Sequence, residues 1–206
     1  MKERKTPWWF WKRSEEAPAP GKNDYTVIST VNDRLLYTLR QHLVPGILES
    51  REEIGLCTPP DHGDMVLGIY LYDIQENDEM RVNGMIDYGE NYQQYPPLYL
   101  NLSYMITAYS SIDLRYREEE NHRILAKVME VFHDYPLLEG DDRLHMEPQN
   151  LTMEQKMAVW HNNGMGYRLS LFYRVTPVRL NSTVKREITR VKEIQIETPY
   201  GTGGRT

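Results

Sequence analysis

Residues 95–109 read YPPLYLNLSYMITAY. Pro96 and Pro97 have no N–H to give to a ladder, so they fix where a strand can begin. From Leu98 the residues alternate. Leu98, Leu100, Leu102, Tyr104, Ile106 and Ala108 share one face; Tyr99, Asn101, Ser103, Met105, Thr107 and Tyr109 share the other. A period of two with one oily and one more polar face predicts a strand over 98–109. The polar stretch Ser110 to Glu120 reads as a charged loop. After it Ile124, Leu125, Val128, Met129 and Phe132 recur on one side of a helix predicted over 121–134. Asp134-Tyr135-Pro136 ends that helix, because the residue before a proline is pushed away from helical angles. The unit is a long strand, a loop, and a helix that can lie back on the strand's apolar face.

Working outward, Val27, Ile28, Val31, Leu35 and Leu39 predict a helix from about Thr26 to His42, with Asp24 or Thr26 as N-cap and Pro45-Gly46 as its stop. Residues 49–64 are polar and turn-rich. Met65 to Ile74 is apolar at nearly every position, which suits a central strand covered on both faces. Gln75 to Gln94 is a polar loop of unusual length, and such loops reach partners more often than short ones. Glu139 to Pro148 is an acidic connection. Thr152 caps a short helix through Asn162, with Met153, Met157 and Trp160 on one side. Tyr167 to Leu180 alternates again, and Pro177 puts it at a sheet edge or on a bulge. Lys185 to Glu197 alternates weakly, as a fourth strand or an arm.

The chain of 206 residues is 40% hydrophobic, enough to bury one core of ordinary size. No apolar run approaches the roughly 18 residues of a membrane span. The N-terminus lacks the apolar core of a signal peptide, and the one cysteine, Cys57, excludes an internal disulfide; both point to a cytoplasmic setting. The net charge of −6 is unevenly spread: residues 1–13 carry +4, residues 185–206 carry +2, and the body between them carries −12. An acidic body repels phosphate, which argues against nucleic acid as a partner.

Residues 1–23 read as an arm. Trp8, Trp9, Phe10 and Trp11 stand together beside Lys12 and Arg13, ahead of an Ala/Pro linker. Aromatic residues are costly to leave in water, so this arm is the candidate partner-binding segment: it docks on protein, or on a lipid headgroup zone, which basic flanks also suit.

Catalytic, cofactor and metal signatures are not found. There is no phosphate loop, dinucleotide fingerprint or zinc spacing among the six histidines. His133-Asp134 at a helix end reads as a histidine on the helix dipole. Cys57 has no base beside it in sequence, and Asp141-Asp142 reads as a solvated loop. The expectation is a protein with no catalytic residues, no cofactor and no metal.

Five segments form a recognisable set in order: DYTVIST with LLYTLRQHL at 24–43, GDMVLGIYLYDIQEN at 63–77, YPPLYLNLSYMITAY at 95–109, NHRILAKVMEVFHDYPLL at 121–138 and YRLSLFYRVTPVRLNS at 167–182. Together they resemble the cap, or tail-terminator, family of phage-tail-like contractile injection systems, whose members carry a Pvc16-type N-terminal domain. The resemblance implies an α/β (α+β) fold: a single tail-terminator-like domain over 24–182, a mixed or antiparallel sheet flanked by helices, with an arm at 1–23 and a strand or arm at 183–206. It further implies a homo-oligomer, a hexameric ring assembled in the cytoplasm, that closes the distal end of sheath and inner tube. The alternative reading is a peripheral anchor that tethers such an assembly to a membrane or partner through the Trp-rich arm.

Overall fold

The computed structural model describes residues 26–89, 91–138 and 144–188, with residue 88 by its backbone alone. The aromatic arm at 8–13 and the pair Asp141-Asp142 lie outside the described residues. The elements run α1 (Val27–Leu43), β1 (Ile54–Leu56), β2 (Leu67–Glu76), β3 (Ile86–Tyr88), β4 (Tyr92–Gln94), β5 (Leu98–Ala108), α2 (Leu114–Asp134), β6 (His145–Pro148), α3 (Met153–Asn162), β7 (Ser170–Leu180) and β8 (Lys185–Glu187). Among the described residues the fold is α+β with two sheets. Two compact units result: the described residues of 26–82 and 97–181 form one, and those of 83–96 and 182–188 belong to the other.

The larger unit is built on a five-stranded mixed sheet in the order β1-β2-β5-β7-β6. Only β1 and β2 run parallel; the other pairs are antiparallel. β5 sits at the centre, as its alternation requires. On one face, Leu102, Tyr104 and Ile106 of β5 and Val175 of β7 meet Val31, Leu35 and Leu39 of α1 and Ile124, Val128 and Phe132 of α2. On the other face Met105, Tyr109 and Phe172 enclose Trp160 of α3, which is 0% exposed. The face of β5 read as more polar is therefore also buried. Its polar residues are satisfied in pairs: Thr107 Oγ1 and Ser170 Oγ lie 2.8 Å apart, and Ser103 Oγ accepts from Gln149 Nε2 at 3.1 Å.

Local chemistry explains most element ends. Asp113 caps α2 by accepting from Arg115 N at 3.0 Å. Thr152 and Gln155 form a reciprocal capping box on α3, with Thr152 Oγ1 accepting from Gln155 N and Gln155 Oε1 accepting from Thr152 N. Thr26 occupies the N-cap position of α1, yet its hydroxyl caps nothing. Pro177 marks an irregularity: the β5–β7 register shifts between Leu100 and Leu102, opposite Val178 and Val175. The β6 pairing of β7 ends at Thr176, so Pro177 sits both at this irregularity and where β7 has β5 alone as its described partner. Asn101 Oδ1, at the shift, accepts from Thr176 Oγ1 at 2.6 Å and from Asn77 Nδ2 at 3.2 Å.

Several expectations are corrected. The charged loop at 110–120 is short: α2 already begins at Leu114, and its first two turns stand in solvent. Met129 of α2 is 51% exposed while Val131 is buried, because Met129 falls just past the edge of the inward stripe. Met153 and Met157 are exposed, and α3 is anchored by buried Trp160 with half-buried Val159 packed against the same cluster. β2 is buried only over its first residues, and Ile74 is 47% exposed. The polar stretches at 49–64, 75–94 and 139–148 contain β1, the β3–β4 hairpin and β6.

The smaller unit holds a three-stranded antiparallel sheet in the order β3-β4-β8. Gly89, at φ 72°, lies in the β3–β4 connection. Each strand has three residues, and none of the described side chains at 83–96 and 182–188 is buried.

Candidate interaction surfaces

The residues that invite a chemical reading sit apart. His133 and Asp134 are exposed in the last turn of α2. Cys57 is half-buried beyond β1, where burial pushes its thiol up from the ordinary value. A raised thiol stays protonated at neutral pH, the opposite of an activated nucleophile. Its sulfur lies beside Gly68 and the ring of Tyr109. The Tyr109 ring stacks on His62 at 4.0 Å, and the Arg168 guanidinium carbon is 5.7 Å from its centroid. Burial, with a smaller contribution from Cys57, pushes the Tyr109 phenol up to about 12, against the opposing pull of Thr107 and Arg168. This is a packed corner, with an aromatic ring held between an imidazole and a cation. Among the described residues no group of three or more His, Cys, Asp or Glu is placed to hold a metal ion.

A surface cavity of about 240 Å³ opens on α1 between Asp33, Leu36, Tyr37, Arg40, Gln41 and Arg51. That is smaller than the roughly 300–1,000 Å³ of small-molecule sites. Arg40 also has structural work there: its Nη2 donates to Ile54 O at 2.7 Å and ties β1 to α1.

What the surface does offer is exposed apolar side chains at element ends. Leu114 and Tyr116, in the opening turns of α2, are 76% and 59% exposed, and Ile112 precedes them. Met153 and Met157 stand on the outer side of α3. In the small sheet Tyr92, Tyr95 and Val184 are all exposed. Single exposed hydrophobic residues need no explanation; in the small sheet none of the described side chains is buried. The sequence signal for that sheet is faint: Ile86 and Tyr88 alternate on one side of Gly89, and Tyr92 follows on the other.

The model of the Pvc16 N-terminal domain matches residues 30–193 of this chain. The chain belongs to the Pvc16 N-terminal domain family. Among solved structures, the sheath/tube terminator of an extracellular contractile injection system, PVC, in its extended state has this family member's fold. The TM-score is 0.63 at 17% identity, over 91% of this chain and 66% of that one. The tube terminating cap of the anti-feeding prophage matches with a TM-score of 0.61 at 19% identity, over 82% of this chain and 61% of that one. This family member thus spans less than two thirds of each solved chain, 66% of the first and 61% of the second. A search of the curated proteins finds no match.

Proposed function

We propose that this chain is a structural cap: a tail terminator that forms a ring, most simply of six copies, on the distal end of the sheath and inner tube of a phage-tail-like contractile particle. The observation that carries the reading is the fold. The β5-centred sheet with α1 and α2 on one face and α3 on the other is matched over 91% and 82% of the chain by a sheath/tube terminator and a tube terminating cap. The surfaces support an assembly role over a reaction. The one described cysteine is held as a thiol, and apolar side chains are exposed at α2, α3 and the small sheet. Among the described residues no helix is long and apolar enough to cross a membrane.

The test is a deletion strain. It should still make the other tail proteins but assemble sheath and tube poorly or to uncontrolled length in electron micrographs. Particles of normal number and length without this protein would end the proposal. A second reading draws on the sequence of the arm. Trp8, Trp9, Phe10 and Trp11 with Lys12 and Arg13 also have the composition of a membrane-surface anchor. Liposome flotation of the full chain, with and without residues 1–23, separates the two: flotation that needs the arm favours the anchor.

A further inference from the structure

β2 outruns its neighbour. β1 pairs with it only from Leu67 to Ile69, and among the described residues no strand lies on that side of β2 from Tyr70 to Glu76. The far half of β2 is correspondingly open: Ile74 is 47% exposed, and Gln75 and Glu76 are exposed beside it. One edge of the main sheet is bare over this length.

Which backbone groups point out of that edge follows from the hydrogen bonds. Val66 O accepts from Tyr109 N at the end of β5, while Ile69 O accepts from Cys57 N on the β1 side. Successive residues of a strand turn their N–H and C=O to opposite sides, so Leu71, like Ile69, turns away from β5. The register shifts between Leu71 and Asp73, and beyond the shift Asn77 N donates to Tyr99 O. Counting back from Asn77, Glu76 and Ile74 turn away from β5 as well. Leu71, Ile74 and Glu76 thus offer N–H and C=O groups to one more strand.

The edge is acidic. Asp73 and Glu76 lie in it and Asp78 and Glu79 follow, against the one cation of the stretch, Arg81, which meets Glu76 at 3.6 Å. Like charges disfavour pairing with the same edge of another copy and favour a basic strand. This chain supplies one in its sequence: residues 8–13 read WWFWKR, with Lys2, Arg4 and Lys5 ahead of them. The run holds no proline, and aromatic residues are enriched in strands. Residues 14–25 behind it can span at most roughly 40 Å, enough to cross to an adjacent subunit.

We propose that residues 8–13 of one copy of this chain add as a strand to the bare β2 edge of the next copy. The proposal rests on the ring reading above and deepens it by naming what the arm docks on. Main-chain hydrogen bonds to Leu71, Ile74 and Glu76 hold the strand, its aromatics cover Ile74, and its basic flank meets the acidic edge. Arm and edge are different surfaces, so the contact is head-to-tail, the kind that closes rings.

Disulfide trapping in assembled particles tests the contact. In a Cys57→Ser background of the full chain, co-produced with its sheath and tube proteins, Trp9→Cys or Phe10→Cys is combined with Ile74→Cys or Gln75→Cys, which samples both faces of each strand. Facing residues on adjacent strands come within disulfide reach. The expected result is a ladder of covalent oligomers in at least one combination, and none with any single cysteine. Charge exchange gives a second readout. Glu76→Lys with Glu79→Lys should leave the melting temperature nearly unchanged and lower the yield of capped particles at least tenfold, and adding Lys12→Glu with Arg13→Glu should restore most of it. Capped particles with no inter-subunit disulfide in any combination, or no loss on reversing the edge charges, would overturn the contact and leave the ring standing. A disulfide confined to monomers would overturn it in favour of the arm folding onto its own edge. Dimers of Ile74→Cys or Gln75→Cys alone would overturn it in favour of a two-fold contact between edges. If the Cys57→Ser parent is absent from otherwise normal particles, the ring reading itself falls.

Discussion

The hydroxyl of Tyr104, at the centre of β5, donates to Asn32 Oδ1 on α1 at 2.7 Å, and the tyrosine is 0% exposed. One polar bond therefore fixes where α1 crosses the sheet, inside an otherwise apolar face. Removing the donor with Tyr104→Phe frees an acceptor on half-buried Asn32 that water can reach, so the expected cost is about 1 kcal/mol. Asn32→Ala instead strands a buried hydroxyl and should cost more, about 1–3 kcal/mol. Urea midpoints of the two variants check the order; equal midpoints would mean that the bond does not hold the helix in place.

Phe132 of α2 is 3% exposed and meets Tyr173 edge-on, with ring centroids 4.9 Å apart at 65°. It joins the helix read from the Ile124–Phe132 stripe to the strand read from the alternation at 167–180. Phe132→Ala should cost about 3–5 kcal/mol, the range for emptying an aromatic site in a core. Thermal or urea unfolding of the variant measures it.

These residues also mark how far the sequence could be read. β5 was legible because two prolines announce it and its apolar positions repeat every second residue, and α1 because its stripe is continuous. The start of α2 was not, since Leu114 to Glu120 (LRYREEE) has no apolar period: those turns bury nothing, and the helix there is held by its Asp113 cap and its own propensity. β1, β3 and β4 are three residues long and β6 four, too short for a period of two to register. Thr107 and Ser170 look exposed in sequence, but each satisfies the other beneath α3. Met153 and Met157 looked like core because nothing in a helical stripe says how deep the helix sits. Of the residues weighed for chemistry, Cys57 is half-buried with its thiol pushed up by burial, and His133 and Asp134 stand exposed at the end of α2.

A close approach gives a third prediction. A Cβ on Gly68 of β2 would lie 2.6 Å from Cys57 Sγ and 2.8 Å from Tyr109 Cε2. Gly68→Ala must displace a thiol and a stacked ring, and overpacking of this kind costs about 1–3 kcal/mol. Cys57→Ala opens one side of the clash. The double variant Gly68→Ala/Cys57→Ala should therefore be more stable than the sum of the single effects predicts, a coupling that a double-mutant cycle measures.

Alkaline stability follows from the same corner. Burial pushes the Tyr109 phenol up to about 12, above its value of about 10 in an unfolded chain. A group whose folded value is raised contributes stability in full below the unfolded value, and that contribution is lost as pH rises through the folded one. Stability should hold up to about pH 10 and then fall toward pH 12. Tyr104, raised in the same direction by burial, adds to the fall. Tyr109→Phe should flatten the decline between pH 10 and 12, as read from urea midpoints at each pH. An unchanged slope would place the alkaline loss elsewhere.

The last prediction concerns the arm. Trp8, Trp9, Phe10 and Trp11 lie in a segment of charge +4, ahead of a body that carries −12 over residues 14–184. A ring on a helical tube must hold its neighbours through more surface than compact domains present. An arm that crosses to another chain adds contact area without enlarging the core. Trp is enriched among the few residues that dominate interfaces, and the basic flanks suit an acidic neighbour. Opposite charge then sets register and docking rate more than affinity, and it weakens as salt rises. The arm is thus proposed to dock on a neighbouring cap subunit or on the sheath. Replacing all four aromatics with Ser should leave the melting temperature of the isolated chain nearly unchanged and reduce incorporation into particles, more severely at high salt. If the quadruple variant is incorporated normally, the arm is not an assembly anchor. If it lowers the melting temperature of the isolated chain, the four aromatics belong to the folded core.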